Sequence, residues 1–301
     1  SINSLIDLLD IDETAETACK ALSHNILIYE AHQSVLEKST HNAYAKKIID
    51  SWASAEWFTS KTPLSETIKA VVFRVDGETN TDDLSPATEA WSRPDIPLHA
   101  QSMLVKKMDK PLETIEKLKE KGLPLAYVGD VVGTGSSRKS AINSVLWHMG
   151  ESIDYIPNKN TGGIVLGGKI APIFFNTAED SGALPIECDV SKLSMGDEIT
   201  IHPFKGIITN SSGETISTFE LTPSTMPDEV RAGGRIPLII GRALTDKTRT
   251  ELGLNVSDVF LRPIDPKNSS AGFTLAQKIV GKACGVPGIR PGTYCEPRMS
   301  S

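Results

Sequence analysis

One short segment constrains the fold of this chain more than any other: a glycine-rich turn that joins an apolar run to a helical pattern. The apolar run covers residues 123–128, and the helical pattern covers residues 141–149. Between them lie Gly133 and Gly135, followed by Ser136-Ser137-Arg138. This order predicts a β-strand, a tight turn and the start of an α-helix. Glycines also accept backbone angles that other residues resist, and they let a ligand approach the main chain closely.

The polar residues of this turn indicate an anion-binding site. Free N–H groups and the helix dipole favour negative charge at a helix N-terminus. The guanidinium of Arg138 can bind a carboxylate with two parallel hydrogen bonds. A serine held there could donate to a ligand or, if deprotonated, act as a base. The alternative is a simple helix cap, but one serine would suffice for that, so we favour the anion site.

A second polar segment, residues 80–87, follows the first predicted strand of the α/β region. It contains Thr81, the adjacent carboxylates Asp82 and Asp83, and a proline that restricts the loop. Taken alone, it is most simply a polar turn in which Asp82 or Asp83 caps a helix. Arg93 follows it and is either a surface cation or a second clamp for a carboxylate.

Composition and charge exclude several classes of protein. Hydrophobic residues make up 39% and charged residues 23% of the 301 residues, which is typical of a globular protein with one large domain or two. No apolar run is long enough to span a membrane. The net charge of −7 disfavours a generic polyanion-binding surface but leaves room for a local basic patch. We expect no membrane partner.

The cysteines and histidines are too dispersed to predict a metal site within this chain. Cys19, Cys188, Cys284 and Cys295 contain no Cys-x-x-Cys pair, and the six histidines contain no His-x-x-x-His pair. Neither a zinc site nor an iron–sulfur site is expected from these residues alone. Scattered cysteines fit a reducing, cytoplasmic location.

Hydrophobic periodicity divides the chain into three regions. Residues 1–62 show helical spacing, residues 63–230 predict an α/β domain with mixed strand directions, and residues 231–301 read as a linker. The predicted strands cover residues 71–75, which Asp76-Gly77 would end, and residues 123–128, 164–166, 198–201, 207–208 and 215–221. The predicted helices of these two regions cover residues 112–121, 141–149, 171–180 and 275–283.

The two polar segments together resemble the aconitase superfamily, specifically its bacterial aconitase B type. The matching residues are Thr81-Asp82-Asp83-Leu84-Ser85-Pro86, then Arg93, then the turn from Gly133 to Arg138. The resemblance extends over nearly the whole chain and includes residues 91–99, 172–187, 231–242 and 284–297. It implies a swivelling β/β/α domain with a mixed sheet, preceded by the end of a HEAT-like helical domain. Residues 231–301 would then lead toward cluster-bearing catalytic domains that this chain lacks.

The resemblance also implies an activity and roles for individual residues. The family interconverts citrate and isocitrate through cis-aconitate in the tricarboxylic acid cycle, and a related reaction dehydrates 2-methylisocitrate. Ser136 would be the general base and would also contact substrate. Ser137, Arg138 and Arg93 would bind substrate carboxylates, and Asp82 would belong to the catalytic network.

This chain departs from the family in the ligands of the 4Fe-4S cluster. Three cysteines of later domains hold that cluster, and none of the four cysteines here matches them. We therefore expect a fragment that is inactive alone, or a separate small subunit of an isopropylmalate isomerase-like hydro-lyase. An alternative is a protein- or RNA-interaction module, although the acidic charge does not favour intrinsic RNA binding. The helical segment is a candidate contact for a homodimer.

Overall fold

The first sixty residues form a helical unit around buried aromatic and aliphatic side chains. In a computed structural model, which describes residues 2–262, 266, 269–293, 295 and 297–298, Leu22, Ile48 and Trp52 pack in one core. The Trp52 indole N–H donates to the carbonyl oxygen of Leu22 at 3.2 Å. Asn42 caps the fourth helix, its side chain accepting from the Ala45 N–H. The helices are α1 (Ile2–Asp7), α2 (Asp12–His24), α3 (His32–Lys38), α4 (Ala43–Ala53) and α5 (Glu56–Thr59).

The rest of the chain alternates strands and helices around a seven-stranded sheet. In chain order its elements are β1 (Ile68–Asn80), α6 (Thr81–Leu84), α7 (Ile96–Ala100), α8 (Pro111–Lys119), β2 (Leu125–Thr134), α9 (Arg138–Met149), β3 (Glu151–Ile153), β4 (Ile156–Thr161), β5 (Ile164–Ile170), α10 (Pro172–Asp180), β6 (Leu184–Glu187), β7 (Glu198–His202), β8 (Ile207–Asn210), β9 (Thr215–Thr218), α11 (Met226–Ala232), α12 (Arg235–Glu251) and α13 (Leu275–Ala283). The strand order is β6-β5-β2-β1-β7-β8-β9, while β3 and β4 form a separate hairpin. The strands from β6 to β1 run parallel, and those from β7 to β9 are antiparallel. The predicted fold class, an α/β domain with a mixed sheet preceded by helices, is confirmed.

Each face of the sheet buries a separate apolar core. On one face, strand residues such as Phe73 and Tyr127 pack against α8, α9 and α10. On the other face, alternate residues such as Val72 and Val128 pack with Met226 and with the antiparallel strands. The central strands are therefore apolar on both sides, as is typical of parallel strands covered on both faces.

Strand β1 extends further than its sequence pattern predicts. The expectation that Asp76-Gly77 ends the first strand is wrong, because β1 continues to Asn80 after a register shift between Val75 and Glu78. Gly77 takes a φ of +74°, and its N–H donates to the Asp130 carboxylate at 2.7 Å. Pairing with β2 therefore converts a local turn signal into a bulge.

The residues after 230 do more than link domains, because α12 packs back onto the helical unit. The Trp57 indole N–H donates to the Thr245 hydroxyl at 3.1 Å. Thr248 donates to the Leu244 carbonyl at 2.7 Å, so the His32 ring nitrogen that lies 3.1 Å from the Thr248 hydroxyl acts as the donor. The Leu244 side chain is buried in the same core as Trp52. The sequence-based prediction that residues 231–301 form a linker did not include this contact.

Buried carboxylates lie where α10, α11 and α12 meet. Glu179 and Glu229 are each only 3% exposed. Arg235 donates through Nε to Asp180 at 2.9 Å and through Nη1 to Glu179 at 3.4 Å. Burial, followed by the neighbouring Glu229, raises the pKa of Glu179 to about 7 despite the opposing charge of Arg235. The folded chain therefore holds a proton here that an exposed carboxylate would lose.

We predict that Glu179→Gln reduces the dependence of stability on pH. The raised pKa stabilises the folded state below the usual value of 4.5, and this contribution is lost as the pH rises toward about 7. The parent should therefore lose stability relative to the variant across that window. Urea denaturation at a series of pH values measures the difference. The exposed Glu66→Gln variant is the control, and parallel pH profiles for all three proteins would contradict the prediction.

We predict that Gly241→Ala destabilises the junction between α12 and the helical unit. A Cβ at Gly241 would lie 2.3 Å from the ring of Trp57, which is buried and hydrogen-bonded. Overpacking costs about 1–3 kcal/mol, which exceeds the ~1 kcal/mol that alanine gains over glycine within a helix. We therefore expect a lower free energy of unfolding by chemical denaturation. Gly272→Ala, where a Cβ meets open space, should leave that free energy close to the parent value.

Candidate functional site

The two polar segments leave the sheet side by side. Strands β1 and β2 are parallel neighbours, and Asn80 and Thr134 at their carboxyl ends are register partners. The segment that begins at Thr81 and the glycine turn that follows Thr134 therefore start at the same edge of the sheet. Ligand sites of open α/β sheets lie outside the carboxyl ends of their strands.

The glycine turn is held against Thr81. Gly135 takes a φ of +101°, and a Cβ there would lie 2.6 Å from the Thr81 hydroxyl oxygen. The backbone N–H of Ser137 donates to that same oxygen at 3.2 Å. Gly133 takes a φ of +79°, and a Cβ there would overlap the ring of Phe174. Both glycines are thus required for close approach, and Thr81 joins the two predicted segments directly.

The serine hydroxyls of the turn are not used to cap the helix. Ser137 occupies the N-cap position of α9, but its side chain makes no capping hydrogen bond. Neither it nor Ser136, which is exposed, donates a hydroxyl hydrogen bond to any residue that the structure describes. The Arg138 guanidinium donates through Nη1 to the Ser136 carbonyl at 3.2 Å. Two free hydroxyls and a guanidinium therefore lie at the amino end of a twelve-residue helix.

The acidic segment is organised by a capping box. The Asn80 side chain accepts from the Asp83 N–H at 2.8 Å, and the Asp83 carboxylate accepts from the Asn80 N–H at 2.9 Å. Asn80 is thus the cap, and Asp83 is its reciprocal partner. Asp82 is exposed and pairs with none of the residues that the structure describes. Its carboxylate is free to face a ligand, but its catalytic role stays a prediction.

Arg93 lies in a neighbouring loop, where it makes local contacts. Its Nε is 3.2 Å from a Glu89 carboxylate oxygen, and its Nη1 donates to the Leu98 carbonyl at 3.3 Å. The following helix, α7, packs against α9, and the His148 ring of α9 lies 2.8 Å from the Ala100 carbonyl. Arg93 thus belongs to a segment that adjoins α9. The binding of one substrate by both Arg93 and Arg138 stays a prediction.

Arg138 also lines a cleft of about 370 Å³ between α9 and α10. The cleft contains Lys139, Lys159 and Arg235 as well, but none of Asp82, Arg93, Ser136 and Ser137. Sequence reasoning missed Lys159 and Arg235 because each is a single charge far from the glycine turn. The four cations are recognised as one cluster only because the fold brings them to the same cleft.

The described residues do not fit an iron–sulfur cluster. They include no group of three or more cysteine, histidine, aspartate or glutamate side chains that could hold a metal ion. Cys19 is buried in the helical unit, and Cys188 is buried against the sheet. In the same part of the chain, no helix is long and apolar enough to cross a membrane.

We predict that Thr81→Val loosens the glycine turn. The substitution keeps the shape of the side chain but removes the acceptor of the Ser137 N–H, and losing one such hydrogen bond costs about 1 kcal/mol. Amide hydrogen exchange at Ser137 should become faster, and the free energy of unfolding should fall. Thr67→Val, at an exposed threonine before β1, is the control. Unchanged exchange at Ser137 in the Thr81 variant would count against this account.

Comparisons with known proteins identify the family. Residues 70–273 match the family described as the aconitate hydratase 2 N-terminus, and residues 1–58 match the aconitate B N-terminal domain. Aconitate hydratase B of Synechocystis is 63% identical and that of Escherichia coli 58% identical, each over the whole of this chain. This chain covers 35% and 36% of the lengths of those two proteins.

One solved structure is similar over part of the chain. The 3-isopropylmalate dehydratase of Methanocaldococcus jannaschii is 21% identical, with a TM-score of 0.47, over 61% of this chain and 99% of that one. The family assignment depends instead on the family model, which matches more than half of the chain, and on the aconitate hydratase B sequences. On that evidence this chain belongs to the aconitate hydratase B family.

Proposed function

We propose that this chain is the substrate-binding and base-supplying part of an aconitate hydratase, a hydro-lyase that interconverts citrate and isocitrate through cis-aconitate. The observation that carries the proposal is the free pair of hydroxyls at Ser136 and Ser137, beside Arg138, on a turn that Thr81 fixes. A turn that served only to start a helix would use a serine as its cap. Membership of the aconitate hydratase B family supports the same reaction.

Ser136 is the proposed general base. It would accept the proton from the substrate carbon, the electron pair of that C–H bond would form the carbon–carbon double bond, and the hydroxyl on the neighbouring carbon would take up a proton and leave as water. A serine alkoxide needs strong electrostatic support in its surroundings. The positive charge of Arg138, the backbone N–H groups of the turn and the amino end of α9 supply that support from one side.

Arg138, Ser137 and Arg93 are the proposed carboxylate ligands. Citrate and isocitrate each carry three carboxylates, and a guanidinium fork binds one carboxylate through two hydrogen bonds. Arg138 would exchange its contact with the Ser136 carbonyl for such a pair, and Arg93 would leave Glu89. Asp82, at the start of α6, would orient neighbouring groups in the network. We propose 2-methylisocitrate as a further substrate of the same site.

The 4Fe-4S cluster that the family implies would be held elsewhere in the full-length enzyme. The residues described here lack a fitting set of ligands, so we assign no step to the cluster through them. We expect this chain alone to be inactive. Its proposed partners are the tricarboxylate substrate and the cluster-bearing domains of the same polypeptide, in the cytoplasm. A homodimer through the helical unit and RNA binding stay expectations from the sequence.

The proposed roles predict different kinetic effects for two substitutions in a full-length enzyme that contains this chain. Ser136→Ala removes the base and should lower kcat by roughly 10²–10⁴-fold with little change in KM. Arg138→Lys keeps the positive charge but loses the fork, so it should chiefly raise KM. Steady-state assays with citrate and isocitrate measure both effects.

The exposed Ser211→Ala variant in the turn between β8 and β9 is the control for these assays. It should keep the parent kcat and KM. If Ser136→Ala retained the parent kcat, the proposed base would be wrong.

A further inference from the structure

The cleft between α9 and α10 has a charge that the proposed reaction does not explain. Its lining includes four cationic side chains, Arg138, Lys139, Lys159 and Arg235, and one carboxylate, that of Asp180. The cations come from three separate elements, α9, β4 and α12. The whole chain has a net charge of −7, so this concentration of positive charge is local.

The charges inside the cleft are not balanced by one another. Arg235 pairs with Asp180 at 2.9 Å and with the buried Glu179 at 3.4 Å. Lys139 and Lys159 are exposed, and neither forms an ion pair with any residue that the structure describes. Arg138 makes only the local hydrogen bond to the Ser136 carbonyl within that part of the chain. Three cations thus remain available to an anion.

Two side-chain amides complete the lining. Asn143 follows Lys139 by one turn of α9, and Asn176 precedes Asp180 by one turn of α10. Among the described residues, neither amide has a hydrogen-bond partner for its side chain. Each amide carries two N–H donors, which suit the oxygens of a phosphate or a carboxylate. The cleft therefore presents directional donors as well as charge.

We propose that this cleft binds a small multivalent anion whose charges are phosphate or carboxylate groups. Its volume of about 370 Å³ falls within the range of ligand pockets, about 300–1,000 Å³. The site is distinct from the glycine turn and shares only Arg138 with it. Lysines bind such groups as point charges, and an arginine adds a fork. Solvated surface lysines would instead give weak attraction without a preferred position.

Direct titration of the 301-residue chain with pyrophosphate tests the site. Isothermal titration calorimetry should show one site per chain, with an affinity that falls as salt rises. Amide chemical shifts should change along α9 and α10 rather than across the surface. Citrate, which the glycine turn is also proposed to bind, is titrated in parallel, and only shift changes along α10 and at Lys159 count as binding of its carboxylates in the cleft. A site that saturates with neither anion, or shift changes spread over the whole chain, would overturn the proposal.

Exposed residues of the cleft provide variants that should fold normally. Lys159→Gln removes one positive charge and Asn176→Ala removes one amide donor, and each should weaken pyrophosphate binding by about fivefold or more. Lys205→Gln changes an exposed lysine in the turn between β7 and β8, outside the cleft, and should bind as the parent does. Equal weakening by Lys205→Gln and Lys159→Gln would show general charge attraction and overturn the site.

Ser136→Ala separates this site from the proposed reaction. The serine does not line the cleft, so the variant should bind pyrophosphate with the parent affinity whether or not Ser136 is the base. Weakening by Ser136→Ala equal to that by Lys159→Gln would place the anion on the glycine turn instead, and the separate cleft site would be wrong.

Discussion

Parallel pairing between β1 and β2 is the interaction on which the candidate site depends. It aligns Asn80 with Thr134, so the acidic segment and the glycine turn start from one edge of the sheet. The hydrogen bond from the Ser137 N–H to the Thr81 hydroxyl then fixes their separation. The bulge at Gly77, held by Asp130 of the partner strand, sets the register of the last residues of β1. A slip of one residue in this pairing would displace both segments relative to each other.

A second set of contacts holds the helical unit to the α/β domain. Lys61 donates to the Ala232 carbonyl at 2.7 Å, and Arg231 donates to the Lys61 and Thr59 carbonyls. The guanidinium of Arg231 also lies over the Phe58 ring. Arg235 continues these contacts to α10, which also forms one wall of the basic cleft. The same short stretch of chain thus joins the helical unit, the sheet and the cleft.

The structural elements that could be predicted from the sequence are those determined by residues close together in the chain. Gly133, Gly135 and the flanking apolar and helical patterns sufficed to predict a strand, a turn and a helix, because backbone angles and burial act within a few residues. The full length of β1 could not be predicted, because pairing with β2 overrides the turn signal at Asp76-Gly77. The hairpin of β3 and β4 is mostly polar and exposed, so it carries little periodic signal.

In the candidate site, too, the local features could be predicted and the long-range contacts could not. Ser136, Ser137 and Arg138 are contiguous, and their residue types alone suggest an anion site. The role of Thr81 as the acceptor that fixes the turn depends on a contact across 56 positions of the chain. Lys159 and Arg235 reach the cleft only through the crossovers of the fold. Neither the hydrogen bond between Thr81 and Ser137 nor the position of these two cations can be predicted from the pattern of one segment.

The position of α12 in the chain has a consequence for the order in which the protein folds as it is synthesised. Residues 1–60 leave the ribosome before Leu238 and Leu244, which complete the two apolar cores of the helical unit and lie nearly two hundred residues later in the chain. Domains generally fold as units during synthesis, from the amino end onward. Here the sheet domain can close its own two cores while Trp57 and Phe58 still lack the helix that covers them. Residues 1–60 are therefore made before the sheet domain but reach their final packing after it.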